Sequence, residues 1–146
     1  MKYLLALLML AMIIEAGEPA GPESLVENYL QKDYCGEFLQ QNNWLRDYVI
    51  NPFMIPAWDK ISVINGYKIQ DNQFKENKCS VTVEYHIIGQ MIQDSTGLKF
   101  ISAPDTVTID FVTKKTKFGW QILHPGSYPH VGLEALNKKY PAVKIQ

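Results

Sequence analysis

Three side chains of this sequence could together carry out proton-transfer chemistry. They are a carboxylate (Asp59), a phenol (Tyr85) and an imidazole (His124), which can act as base, hydrogen-bond donor and proton carrier. Each has the parity of the apolar residues in or next to its predicted strand, so all three are expected to point into the interior. Burial there shifts pKa values, which is how such groups become useful near neutral pH.

The same three residues also have structural interpretations. Tyr85 fits a core tyrosine whose hydroxyl finds a partner, and Asp59 follows Trp58 in a segment that fits a turn. His124 precedes Pro125 at a strand end, where contact with solvent is expected. These interpretations need no reaction, so the sequence assigns no catalytic residue.

Four aromatic side chains are candidates for lining a cavity: Trp44, Trp58, Tyr85 and Trp120. Pockets for small molecules are mostly apolar with a few polar groups. The set therefore predicts a site for a small apolar ligand, and the alternative is that the tryptophans pack in the core.

Charge and motif content argue against several other kinds of site. The formal net charge is −1 and the longest basic run is a lysine pair, which does not favour nucleic-acid binding. His124 and His130 have two prolines between them, and neither they nor the cysteines form a familiar metal-ligand spacing. We expect no metal and no cofactor.

The first sixteen residues have the pattern of a cleavable signal peptide. Lys2 precedes an unbroken apolar run of twelve residues from Tyr3 to Ile14, whereas a membrane-spanning helix needs about 20. Cleavage is expected after Ala16, and the alternative is a site nearer Ala20. Cleavage after Ala16 leaves residues 17–146 as one domain without a transmembrane anchor. The predicted location is periplasmic or secreted.

The two cysteines, Cys35 and Cys79, are candidates for a disulfide because export permits one. Closing a loop of this length would stabilise the fold by about 4 kcal/mol in the chain-entropy model. The alternative is a pair of buried thiols, since free cysteine packs like a small apolar residue.

Hydrophobic periodicity predicts an α+β fold. Apolar residues recur at helical spacing after Pro22, up to Gly36, and again over 37–50. The period then changes to two in four strands, most clearly from Cys79 to Met91, and a short helix closes the chain. The prediction is a curved, cone-like antiparallel four-stranded sheet packed on the N-terminal helices, with a short C-terminal helix.

This order of elements resembles the nuclear transport factor 2-like superfamily. The likeness extends from Ser24 to His124 and includes the segments from Trp58 to Val63 and from Gly119 to Ile122. The resemblance implies a cone whose open end often forms a cavity. Some members are isomerases, dehydratases or epoxide hydrolases, and many others only bind ligands or proteins, so the fold does not define the function.

The sequence favours an exported, non-catalytic binding domain. Its partner is expected to be a small apolar ligand or an exported protein, with a homodimer through a sheet face as another possibility. One alternative is a periplasmic immunity or inhibitor protein. Another is an isomerase- or hydratase-like enzyme that uses Asp59, Tyr85 and His124.

The signal peptide can be tested by intact mass spectrometry of the protein isolated from its own compartment. The measured mass should correspond to residues 17–146, because export removes the apolar leader. Retention of Met1 would contradict the prediction.

Overall fold

Helix α1, Pro22–Tyr34, begins the described part of the chain. It starts at a proline, whose fixed φ suits the first helical turn, and ends before Gly36, which has the positive φ of 77° common after helices. Its buried side follows the helical repeat, with Val26, Tyr29, Leu30 and Asp33 on one stripe.

The structure is a computed structural model, and it describes residues 20–40, 44–51, 60–123 and 128–145.

The second helix predicted over 37–50 is not an α-helix in the described residues. The described residues form two 3₁₀ turns, Glu37–Gln40 and Trp44–Asp47. Val49 then forms a parallel bridge with Ile122, whose backbone bonds to Tyr48 and Ile50 at 2.7 and 3.0 Å. The residues around Val49 are not helical, because their backbone groups form hydrogen bonds with the strand that contains Ile122.

Five strands and a short second helix follow. They are β1 (Lys60–Lys75), β2 (Lys78–Asp94), β3 (Gly97–Thr116), β4 (Gly119–Ile122), β5 (His130–Gly132) and α2 (Leu133–Lys139). Their order in the sheet is β4-β3-β2-β1-β5, and β5 runs parallel to β1 while the other pairs are antiparallel.

The α+β class and the curled sheet are confirmed, but the prediction of four antiparallel strands is wrong. The fifth strand is only three residues long, too short to show an alternating pattern in the sequence. It is held by contacts that are distant in the chain, including a bond of 2.9 Å from the Ser62 N–H to the Pro129 carbonyl.

The alternation of buried and less buried residues predicted for β2 is confirmed from Cys79 to Met91. Cys79, Val81, Val83 and Tyr85 are all buried, while the residues between them are only partly so. Tyr85 and its neighbours pack against the buried stripe of α1 in the larger of two apolar clusters. Helix α1 is therefore the cover for this face of the sheet.

A second apolar cluster is centred on Val63, Met91, Val131 and Leu136. Val131 follows His130 directly in β5, and successive strand residues point to opposite faces. His130 stacks on Tyr85, so at this edge the two clusters lie on opposite faces of the sheet. Helix α2 supplies Leu136 to the second cluster, while α1 covers the first.

The predicted disulfide between Cys35 and Cys79 is wrong, because both cysteines are free. Glu23, at the start of α1, accepts a bond of 2.8 Å from Asn72, whose strand partner Val81 is two residues from Cys79. Cys35 follows the other end of the helix, about 18 Å along its axis. A disulfide requires Cα atoms within about 7 Å.

Helices α1 and α2 are the two α-helices of the described residues. None of the helices there is long and apolar enough to cross a bilayer.

Thiol counting tests the free cysteines. Protein unfolded without reductant should show two reactive thiols, and native protein should show one rapid thiol, since Cys35 is exposed and Cys79 is buried. The Cys35→Ser variant should lose the rapid reaction only. A count of zero thiols in the unfolded wild type would contradict the free cysteines and support the disulfide instead.

Candidate functional site

Of the three residues predicted to carry out proton transfer, only Tyr85 belongs to the described part of the chain. Trp58, Asp59 and His124 lie outside the described residues, as do residues 1–16. Their convergence with Tyr85 stays a prediction.

Tyr85 lies where the strand parity put it, in the core. Its side chain is 1% exposed, and its hydroxyl has no hydrogen-bond partner among the described residues. The ring stacks on the imidazole of His130, with 3.9 Å between centroids and 13° between planes. The histidine beside Tyr85 in the described structure is therefore His130, which the sequence had suggested for no role.

Asp33 approaches the same histidine from helix α1. It is 2% exposed, and its Oδ2 accepts the backbone N–H of His130 at 3.0 Å and lies 4.0 Å from Nδ1 of that ring. Its Oδ1 is buried without a partner among the described residues. A carboxylate here is unexpected on an apolar stripe, since each unpaired buried polar atom costs about 1–3 kcal/mol.

The sequence did contain a signal for Asp33. It follows Tyr29 by four residues and Leu30 by three, which places it on the buried stripe of α1 by the helical repeat. An acidic residue on that stripe has to be neutral, paired or functional. We call Asp33, Tyr85 and His130 the buried polar cluster.

Burial controls the protonation of this cluster. It raises the pKa of the Asp33 carboxyl well above its usual value, although the bond from His130 opposes the rise. It lowers the pKa of His130 to about 4. It also raises the pKa of Tyr85, to which the charge of Asp33 adds. Burial therefore favours the uncharged forms of both groups, the protonated carboxyl of Asp33 and the neutral imidazole of His130.

In that state the cluster offers hydrogen bonds to a neutral partner. The Tyr85 hydroxyl and the protonated Asp33 carboxyl can donate, and both can also accept. A hydroxyl or carbonyl oxygen matches such a pair, whereas a formal charge would be expensive to bury here. Asp33 and His130 could also exchange a proton, because their pKa values are shifted in opposite directions.

Three of the aromatic residues predicted to line a cavity, Trp44, Tyr85 and Trp120, pack in one apolar core. Trp44 lies 5.3 Å from Tyr29, 4.9 Å from Phe38 and 5.6 Å from Tyr48, measured between ring centroids. Trp120 is half-buried at the rim of the same core. Burial raises the pKa of Tyr29, and the charges of Asp33 and Tyr85 add to the rise, so Tyr29 connects these rings to the buried polar cluster.

An open depression of about 630 Å³ lies elsewhere, between α1 and β1. Its lining includes Glu23, Glu27 and Ile69 and none of the cluster residues. Across the described ranges, no group of three or more His, Cys, Asp and Glu residues is arranged to hold a metal ion.

Comparison with known proteins adds no family. No protein-family model matches the chain, and no curated protein matches it. The functional argument therefore depends on the geometry of the buried polar cluster.

The opposed pKa shifts predict how stability depends on pH. Between about pH 4 and 6.5 the two groups act in opposite directions. Burial raises the pKa of Asp33, so its contribution makes stability fall as pH rises, whereas burial lowers the pKa of His130 to about 4, so its contribution makes stability rise. The stability of the wild type should therefore depend less on pH in this range than that of either single variant.

Single variants should separate the two contributions with opposite signs. In Asp33→Asn the free energy of unfolding should rise by up to roughly 3 kcal/mol from pH 4 to 6.5, because only the unfolded state protonates His130. In His130→Phe it should fall as pH rises above about 4, because only the folded state keeps Asp33 protonated. Urea denaturation across this range measures both, and slopes of the same sign would refute the assignment.

Proposed function

We propose that this chain is an exported binding domain of the nuclear transport factor 2-like class. Its ligand is a small, largely apolar molecule with one hydroxyl or carbonyl group, which the buried polar cluster recognises. The observation that carries the proposal is the pair of buried atoms, Asp33 Oδ1 and Tyr85 Oη, that have no partner among the described residues.

Leaving Asp33 Oδ1 and Tyr85 Oη without partners costs free energy. Buried polar groups in folded proteins nearly always have a partner, and exceptions often mark a functional site. A ligand oxygen that bonds to both Asp33 and Tyr85 would recover the cost of burying them. Both side chains contact His130, since the Tyr85 ring stacks on its imidazole and Asp33 Oδ2 accepts its backbone N–H.

The surroundings of the cluster support an apolar ligand body. The ring of Tyr29 lies 5.4 Å from Phe111 and 5.3 Å from Trp44, so the environment is aromatic. Sites of this kind bind the ligand through apolar contact and orient it through a few polar groups.

A proton-transfer enzyme is the second candidate. It is favoured by the 4.0 Å separation of Asp33 Oδ2 and His130 Nδ1 together with the opposite shifts of their pKa values. An isomerase or hydratase would need such a pair. The binding proposal requires only the hydrogen bonds of Asp33 and Tyr85 and no reaction.

Native mass spectrometry of protein from its own compartment tests the binding proposal. We expect a co-purifying mass that is lost on denaturation. Tyr85→Phe and Asp33→Ala should each reduce its occupancy by about tenfold, since each removes one hydrogen bond to the ligand. Tyr128→Phe and Asp47→Ala are matched controls at exposed positions and should retain it.

The outcomes separate the two candidates. A bound molecule that is recovered unchanged after incubation with the protein supports binding. Its conversion to a product, lost in His130→Phe, supports the enzyme instead. Wild-type protein that carries no such mass, or variants that bind as well as the wild type, would overturn the binding proposal.

A further inference from the structure

Two hairpin turns lie side by side at one end of the sheet. The end of the β1–β2 hairpin, residues 74–78, and the end of the β3–β4 hairpin, residues 114–120, each include a turn and the adjoining strand residues. We call them together the double-hairpin tip. The backbone N–H of Lys115 donates to the carbonyl of Asn77 at 2.8 Å, which joins the two turns. The proposed ligand site does not use this surface.

The tip concentrates positive charge. It contains five lysines and one glutamate, so its formal charge is +4. The whole chain has a charge of −1, so the rest of it carries −5. This separation of charge gives the protein one strongly cationic end.

Three of these lysines face each other across the strands. Lys75 pairs with Lys78, and Lys78 pairs with Lys114, so they form a row across β1, β2 and β3. Like charges directly opposite in a sheet are destabilising. None of the lysines at the tip forms an ion pair with another described residue. The row is repulsive in the isolated protein and would be relieved by an anionic surface.

Exposed aromatic rings accompany the lysines. Phe118 is 80% exposed and Phe74 is 62% exposed. The ring of Phe74 lies 6.0 Å from that of the half-buried Trp120, and the ammonium of Lys117 is 4.9 Å from the Phe118 centroid. Strand β4 begins at Gly119, so Phe118 lies in the turn before it.

We propose that the double-hairpin tip docks on an anionic phospholipid surface. The lysines meet the headgroup phosphates, while Phe118 and Phe74 enter the boundary between headgroups and acyl chains. Lysines combined with exposed aromatic residues are what interfacial membrane binding requires, and charge complementarity supplies the long-range attraction. The −5 charge of the remaining chain would be repelled, so it orients the tip toward the membrane.

The tip is remote from the buried polar cluster. Tyr67, the strand partner of Tyr85, is eight residues from Lys75 along β1, which is about 27 Å in an extended strand. Docking through the tip would leave the cluster clear of the membrane. The two proposals are independent and can fail separately.

Vesicle co-sedimentation of the purified protein tests the docking. Vesicles with about one-third phosphatidylglycerol in phosphatidylcholine, in about 0.1 M salt, should bind at least about tenfold more tightly than phosphatidylcholine alone. The Lys114→Glu/Lys115→Glu variant should reduce binding to the anionic vesicles by at least about tenfold. Lys138→Glu/Lys139→Glu makes the same change of charge on α2 and should bind as the wild type does.

A second variant tests the aromatic contribution. Phe118→Ser should weaken vesicle binding by about tenfold or more, because the ring no longer enters the interface. Its thermal midpoint should not change, because the side chain is exposed in the folded protein. Equal binding to both kinds of vesicle, equal losses in the two lysine variants, or binding to single-stranded DNA but not to vesicles would each overturn the proposal.

Discussion

The bond between the Asp33 carboxylate and the backbone N–H of His130 is the contact on which the site depends. It joins two residues 97 positions apart at 3.0 Å, and it connects the end of α1 to the start of β5. Because the bond is buried, water does not compete for it. It places the His130 ring on Tyr85 and at the same time holds the fifth strand against the helix that covers the sheet.

The same contact explains why the interior is not fully satisfied. Asp33 has two oxygens, and only Oδ2 is engaged with His130, while Oδ1 and the Tyr85 hydroxyl stay without partners among the described residues. A leucine at position 33 would avoid this cost, but it could not anchor β5. The fold accepts polar atoms in an aromatic core, and their unused bonding capacity is what makes the cluster a candidate site.

The other end of the molecule has the opposite character. The buried cluster is close to neutral, because burial disfavours charge on both Asp33 and His130. At the tip, by contrast, Lys75, Lys78 and Lys114 lie opposite one another across three strands, where like charges repel. Both sites lower the stability of the fold. The buried polar cluster lacks hydrogen-bond partners among the described residues, and the lysine row lacks an opposite charge.

Local pattern was enough to determine the orientation of side chains in α1 and β2. The periods of the helix and the strand are local properties of the backbone, so the burial of Val26, Leu30 and Tyr85 could be predicted. The predictions of a disulfide and of a four-stranded sheet were wrong, because a local hydrophobic period carries no information about which distant segments pair. Only the tertiary structure decided that β5 joins β1 in parallel and that Asp33 meets His130, since those contacts arise when the helix and the sheet pack together.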